Sequence, residues 1–97
     1  MVRAAAEFLA GRIHLRALFL FGSHLHGKAG EWSDVDIAVF APDVVGMKLL
    51  ERAKLAADVQ FACGLELESH FFPDTYLDDP PEASFAKHII ETGRRIV

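Results

Sequence analysis

Apolar and polar positions follow two periods along this chain, and the period at each stretch predicts the element. Residues 2–11 (VRAAAEFLAG) are rich in alanine, the strongest helix former, and Gly11 supplies a stop. Residues 15–21 (LRALFLF) form a short apolar, aromatic run closed by Gly22, which suits a buried strand rather than a helix. Residues 22–33 (GSHLHGKAGEWS) gather turn formers, with room for one short helix after Gly22-Ser23. Residues 34–40 (DVDIAVF) predict a second buried strand that opens on two acids. Pro42 suits the first turn of a helix. That helix is predicted over 43–63, with Val45, Leu49, Ala53, Ala56 and Phe61 as its apolar stripe and Gly64 as its cap. In 65–72 (LELESHFF), Leu65 and Leu67 alternate with Glu66 and Glu68, a period of two that predicts a strand with one acidic face. Pro73 to Pro81 is a turn-rich connection with room for a helical turn. Residues 82–93 predict a closing helix with Phe85, Ile89 and Ile90 inward and Gly93 at its end. The resulting order of helices and strands implies an α/β fold, with helices packed on a small sheet.

Composition narrows this picture. The 97 residues suffice for one small domain, 1–97, and an apolar fraction of 52% supports a packed core. No repeat, low-complexity tract or Ser/Gly linker divides the chain. Ten Lys and Arg against 14 Asp and Glu leave a net charge of −4, so strong nucleic-acid binding is not expected. The single cysteine, Cys63, excludes an internal disulfide and a Cys-rich zinc site, and is compatible with a reducing cytoplasm. No apolar run approaches the roughly 20 residues of a membrane span. Met1 to Ala10, carrying Arg3 and Glu7, lacks a signal-peptide profile, and no membrane partner is expected.

The chemistry concentrates in Phe21 to Asp36 (FGSHLHGKAGEWSDVD). Gly22 lets backbone approach a ligand closely. Free N–H groups at a following helix start, its dipole and the Ser23 hydroxyl together suit a phosphate. Ten residues after Ser23 come Asp34 and Asp36, which at i and i+2 of a strand point to one face. Two adjacent carboxylates repel unless a cation lies between them, and hard oxygens beside phosphate suit Mg²⁺. A phosphate cradle beside a magnesium site is the chemistry of nucleotide handling. Either half alone is usually only a turn; the pair, at this spacing and between two apolar strands, is specific.

Gly-Ser, ten residues and Asp-x-Asp with an apolar strand behind it resemble the signature of the DNA-polymerase-β-like nucleotidyltransferase superfamily, and the short chain resembles its minimal members, the MNT domains. The resemblance covers nearly the whole chain. It implies a mixed-sheet, palm-like core and transfer of a nucleoside monophosphate from a triphosphate such as ATP to a hydroxyl, releasing pyrophosphate. It implies that Gly22 and Ser23 hold the triphosphate tail and that Asp34 and Asp36 ligate Mg²⁺. The family adds a third carboxylate that helps bind a second metal and activates the acceptor. Glu66 and Glu68 share a face, so parity does not separate them. LESHFFP resembles the family segment Leu-Glu-x-His-x-Phe, which favours Glu68 as the third catalytic and metal-binding acid. Where family members carry arginines after Gly-Ser, this chain has His24 and His26, which titrate near neutral pH. One of them contacts phosphate, or both are exposed helix residues. Zinc on His24, His26 and His70 is a poor fit, because two His at i and i+2 of a helix diverge.

Trp32 and Lys28 sit between the motif halves, where an aromatic most simply covers its own turn. Tyr76, Asp78 and Asp79 read as a solvated turn, and Arg94 and Arg95 as cations favoured after a helix end. The chain has no further segment to hold an acceptor, so a second chain or an oligomer surface is expected to supply it. The resemblance implies such a partner: many stand-alone MNT chains are paired with a small helical HEPN toxin, as antitoxins that bind the toxin and, in several, transfer AMP to its tyrosine. That is the leading expectation here. A non-catalytic module that silences its partner by occlusion, and an enzyme acting on a small-molecule hydroxyl, are the alternatives.

Overall fold

The computed structural model describes residues 1–22 and 34–97. The short helix predicted after Gly22, with Ser23, His24, His26, Lys28 and Trp32, lies outside the described residues. Helix α1 spans Val2–Ala10, α2 Leu49–Cys63 and α3 Phe85–Thr92. Strands β1 (Ala17–Phe21), β2 (Val35–Phe40), β3 (Leu67–Phe72) and β4 (Arg94–Arg95) form one sheet in the order β3-β2-β1-β4. β1 runs antiparallel to β2 and β4, whereas β2 and β3 are parallel. The fold is therefore the mixed-sheet α/β arrangement expected from the sequence. A parallel neighbour requires a long crossover, and α2 provides it. That crossover sets β3 against β2 so that Asp36 pairs with Glu68 and Ala38 with His70.

Period-two alternation sends each strand's residues to two faces. One face carries Leu18, Val35, Ile37, Val39 and Leu67, packed against Ala5, Ala6 and Leu9 of α1 and Leu55 and Val59 of α2. Alanines on α1 let that helix sit close to the sheet. Full burial of a Leu, Ile or Val side chain stabilises by roughly 1.5–3 kcal/mol relative to exposure, and Leu9, Leu18, Ile37, Val39, Val59 and Leu67 are all fully buried. Arg12 donates to Asp58 at 2.6 Å, tying the end of α1 to α2. The opposite face carries Phe19, Phe21, Ala38 and Phe40, covered by Ala86 and Ile89 of α3. Ser84 caps α3 by accepting the Lys87 N–H at 3.1 Å.

Several expectations are corrected. The helix predicted over 43–63 is two pieces, a 3-10 turn at Pro42–Gly46 and α2 from Leu49. Met47 and Lys48 are extended between them (ψ 132° and 162°). Val44, Val45 and Gly46 are weak helix formers, while burial of Val44 anchors the turn to the core. The Glu51 carboxylate accepts the Lys48 N–H at 3.3 Å, starting the helix afresh. This break resets the helical phase. Val45, Leu49 and Phe61, predicted inward, are 71%, 82% and 83% exposed, and Leu55 and Val59 face the sheet instead. Phe85 is half exposed rather than core, because it opens α3 at the sheet's rim. Leu65 is exposed and β3 begins only at Leu67. Arg94 and Arg95 are not a mere helix tail but a short edge strand on β1, paired with Leu20 and Phe19. Gly11 follows α1 but adopts φ −82°, so this stop does not use glycine's left-handed freedom.

Candidate active site beside the central strands

Asp36 is the second residue of β2. Its cross-strand neighbour on β1 is Phe21, and its parallel neighbour on β3 is Glu68. Directly paired residues point to one face, so the two carboxylates rise together on the face that carries α3. His70, two residues beyond Glu68, rises from the same face. Its Nε2 lies 3.3 Å from Asp36 Oδ1 and 3.9 Å from Glu68 Oε1. One ligand atom from each of Asp36, Glu68 and His70 lies within 4.8 Å of the others. The imidazole is held edge-on between Phe21 and Phe85, with ring centroids 5.2 Å and 5.9 Å away. Those rings fix its plane and leave Nε2 directed at the acids. Asp36 and His70 are about a quarter exposed, and Glu68 is half exposed, so the group faces a solvent-accessible mouth.

Gly22 closes one side of this site. Its φ is +85°, a conformation costly for any residue with a side chain. A Cβ there would stand 2.7 Å from Asp36 Oδ2, inside contact distance. The glycine thus leaves the Asp36 carboxylate a space that a side chain would fill. Together with two adjacent carboxylates, this space and donor set fit a divalent cation.

The predicted residues separate accordingly. Asp36, Glu68 and Gly22 come together. Asp34 precedes β2 by one residue, exposed, and stands outside the trio. Glu66 lies before β3, with its carboxylate folded back over Gly64, where a Cβ would meet it at 3.2 Å. Of the two glutamates left open by parity, only Glu68 is in register with Asp36. Ser23, His24 and His26 lie outside the described residues. His70 is the site residue that sequence reasoning misses, because a zinc reading groups it with His24 and His26 rather than with the acids. The signal that finds it is spacing, since His70 follows Glu68 at i+2 of one strand and so shares its face.

A sequence model described as polymerase beta, nucleotidyltransferase matches residues 4–97. No curated protein matches the chain. Among solved structures, one described as a toxin–antitoxin with AMP-PNP superposes with a TM-score of 0.66 at 26% identity, covering 96% of this chain and 69% of its own. A mutant of the toxin–antitoxin MntA-HpeT superposes with a TM-score of 0.64 at 22% identity, over 98% of this chain and 70% of that one. A putative nucleotidyltransferase from Sulfolobus solfataricus gives a TM-score of 0.59 at 20% identity, over 76% and 65%. The mixed sheet, the acid pair beside Gly22 and a family match spanning residues 4–97 lead to one assignment: the chain belongs to the polymerase-β nucleotidyltransferase family.

Proposed function

We propose that this protein is the antitoxin of a HEPN/MNT-type pair and transfers AMP from ATP to a tyrosine hydroxyl of its small helical partner. The observation that carries the reading is the in-register pairing of Asp36 with Glu68 beside Gly22, in a chain of this family. Its likeness, at 26% identity, to a toxin–antitoxin with AMP-PNP supports both the nucleotide and the partner. Asp34, Asp36 and Glu68 would hold Mg²⁺, which when bound supplies charge neutralisation at the triphosphate and lowers the pKa of a coordinated oxygen. Gly22 and Ser23 receive the triphosphate tail, where backbone N–H groups stabilise negative charge. Glu68 lies at the exposed side of the pair, where it can accept the proton of the incoming hydroxyl. The acceptor oxygen attacks the α-phosphorus. A new P–O bond forms, the bond to the β-phosphate's bridging oxygen breaks, and pyrophosphate leaves.

ATP labelled at the α-phosphate, added with Mg²⁺ and the purified chain to lysate of the source cells, tests this. Label is expected on one small helical protein with the wild type and not with Asp36→Asn. Equal labelling by that variant would overturn the catalytic assignment. If no label transfers but both chains capture and silence the partner, the protein acts by occlusion. Labelling of a small hydroxyl compound by the chain alone would instead identify a small-molecule enzyme.

A further inference from the structure

The acid pair is not purely a carboxylate site, because an imidazole nitrogen stands inside it. We propose that His70 Nε2 is a direct ligand, with Asp36 and Glu68, of the catalytic cation, so that the site prefers a first-row transition ion such as Mn²⁺ over Mg²⁺. This inference rests on the reading of the acids as a cation site.

Geometry supports it first. Neighbouring donors around an octahedral cation with bonds near 2.1 Å are separated by about 3 Å. His70 Nε2 lies 3.3 Å from Asp36 Oδ1 and 3.9 Å from Glu68 Oε1, and one donor atom of each residue lies within 4.8 Å of the others, so side-chain rotations that close these gaps bring all three onto one ion. The backbone already sets them. Asp36 and Glu68 are register partners, and His70 shares their face one step along β3. Orientation supports it second. Edge contacts from Phe21 and Phe85 hold the ring on both sides, and Phe85 is the half-exposed residue that opens α3. Nε2 is hydrogen-bonded to Asp36 and faces Glu68, so the nitrogen is already held among the donors. The Asp36 carboxylate has its own space at Gly22, where a Cβ would lie 2.7 Å from Oδ2.

Donor chemistry then decides the ion. Carboxylate and water oxygens suit Mg²⁺, whereas a neutral imidazole nitrogen contributes more to transition ions, which bind nitrogen better than magnesium does. Where Nε2 takes the place of a water oxygen, the donor charge is unchanged but one hard oxygen gives way to a nitrogen, which favours a transition ion over Mg²⁺. Mn²⁺ keeps six-coordination with mixed oxygen and nitrogen donors, so the exchange preserves the geometry that phosphoryl transfer needs.

Pulsed electron paramagnetic resonance on the full chain with Mn²⁺ alone tests this without any turnover. Bound Mn²⁺ is expected to show ¹⁴N coupling from an imidazole. The coupling should vanish in His70→Gln. The same change should weaken Mn²⁺ binding at least about tenfold and Mg²⁺ binding far less, collapsing the preference. His70→Asp, a second variant that restores an oxygen ligand, should bind Mg²⁺ more tightly relative to Mn²⁺ than the wild type does. Nitrogen coupling that persists in His70→Gln would overturn the proposal, since another histidine then supplies it. Mn²⁺ binding that lacks nitrogen coupling but is lost in Asp36→Asn would overturn the role of His70 and leave the carboxylate site standing. No Mn²⁺ or Mg²⁺ binding by the wild type would remove both.

Discussion

The two faces of the sheet are built from the same strands, yet they do different work. The face under α1 and α2 is aliphatic, closed and without a charged side chain among its fully buried residues. The face under α3 is aromatic, with Phe19, Phe21, Phe40 and Phe72 as its body and Asp36, Glu68 and His70 at one end. Two helices cover the first face, and one eight-residue helix with a 3-10 turn covers part of the second. Stability is therefore concentrated on one side, and reactive groups stand on the other. Carboxylates placed side by side cost folding energy through repulsion. The aliphatic layer offsets that cost from the far side of the same backbone.

Substitutions on the two faces should separate these roles. The largest effect falls on activity. Asp36→Asn should reduce the proposed AMP transfer by at least ~1000-fold, about 4 kcal/mol of transition-state stabilisation. It also removes one of two neighbouring charges, so without divalent ions its melting temperature should equal or exceed that of the wild type. Added Mn²⁺ should raise the melting temperature of the wild type more than that of the variant. A variant that simply unfolds would show that the acid is structural. Leu18→Ala, on the closed face at 0% exposure, should cost about 2–5 kcal/mol in urea unfolding. Transfer by the fraction that remains folded should be close to normal. A loss of activity beyond the loss of folded chain would mean that the faces are not independent.

Gly22→Ala lies at the boundary. The backbone at φ +85° adds about 1–2 kcal/mol of strain, and the new Cβ meets Asp36 Oδ2. Transfer and metal affinity should fall together, and isothermal titration of Mn²⁺ reads the second directly. Phe85→Ala, at the open rim of the aromatic face, should cost only about 1 kcal/mol, since the ring is half exposed and contributes mainly edge contacts. A cost matching that of Leu18→Ala would contradict the contrast in closure.

The smallest effect belongs to Asp43, on the 3-10 turn before α2. Partial burial would raise its pKa, but hydrogen bonds from the His14 N–H and ring outweigh this, and the pKa falls below the ordinary 3.8. A carboxylate with a depressed folded pKa adds stability above its unfolded value and loses it as pH falls through the folded one. The difference in unfolding midpoint between wild type and Asp43→Asn should thus be steady from about pH 7 to 5 and shrink below about pH 4.

Much of this was legible from local pattern. The strand residues of LFLFG and VDIAVF, the Gly22 turn and the closing helix all follow from apolar runs and turn formers. Where one helix was expected over 43–63, the pattern misled, because burial of Val44 and a restart at Lys48 changed the phase of everything after it. Period two predicts Glu66 and Glu68 on one face, but β3 begins only at Leu67 and Glu66 folds back over Gly64, and parity is in any case blind to register. Which glutamate meets Asp36 depends on how far β3 slides along β2, and the α2 crossover sets that slide. The edge strand Arg94–Arg95 was equally hidden, since two residues carry no periodicity and pair only because β1 offers a free edge.

The sequence by itself determined the first and last helices, the three longer strands, the glycine turn and the acids at the start of the second strand, because these depend on neighbours a few residues apart. Only the tertiary structure decided that Glu68 rather than Glu66 stands beside Asp36, that His70 joins them, and that Leu55 and Val59 rather than Leu49 and Phe61 face the sheet. Those choices are made by contacts between segments some 30 residues apart, as with Asp36 and His70. Strand register and helix phase are collective properties of the packed core.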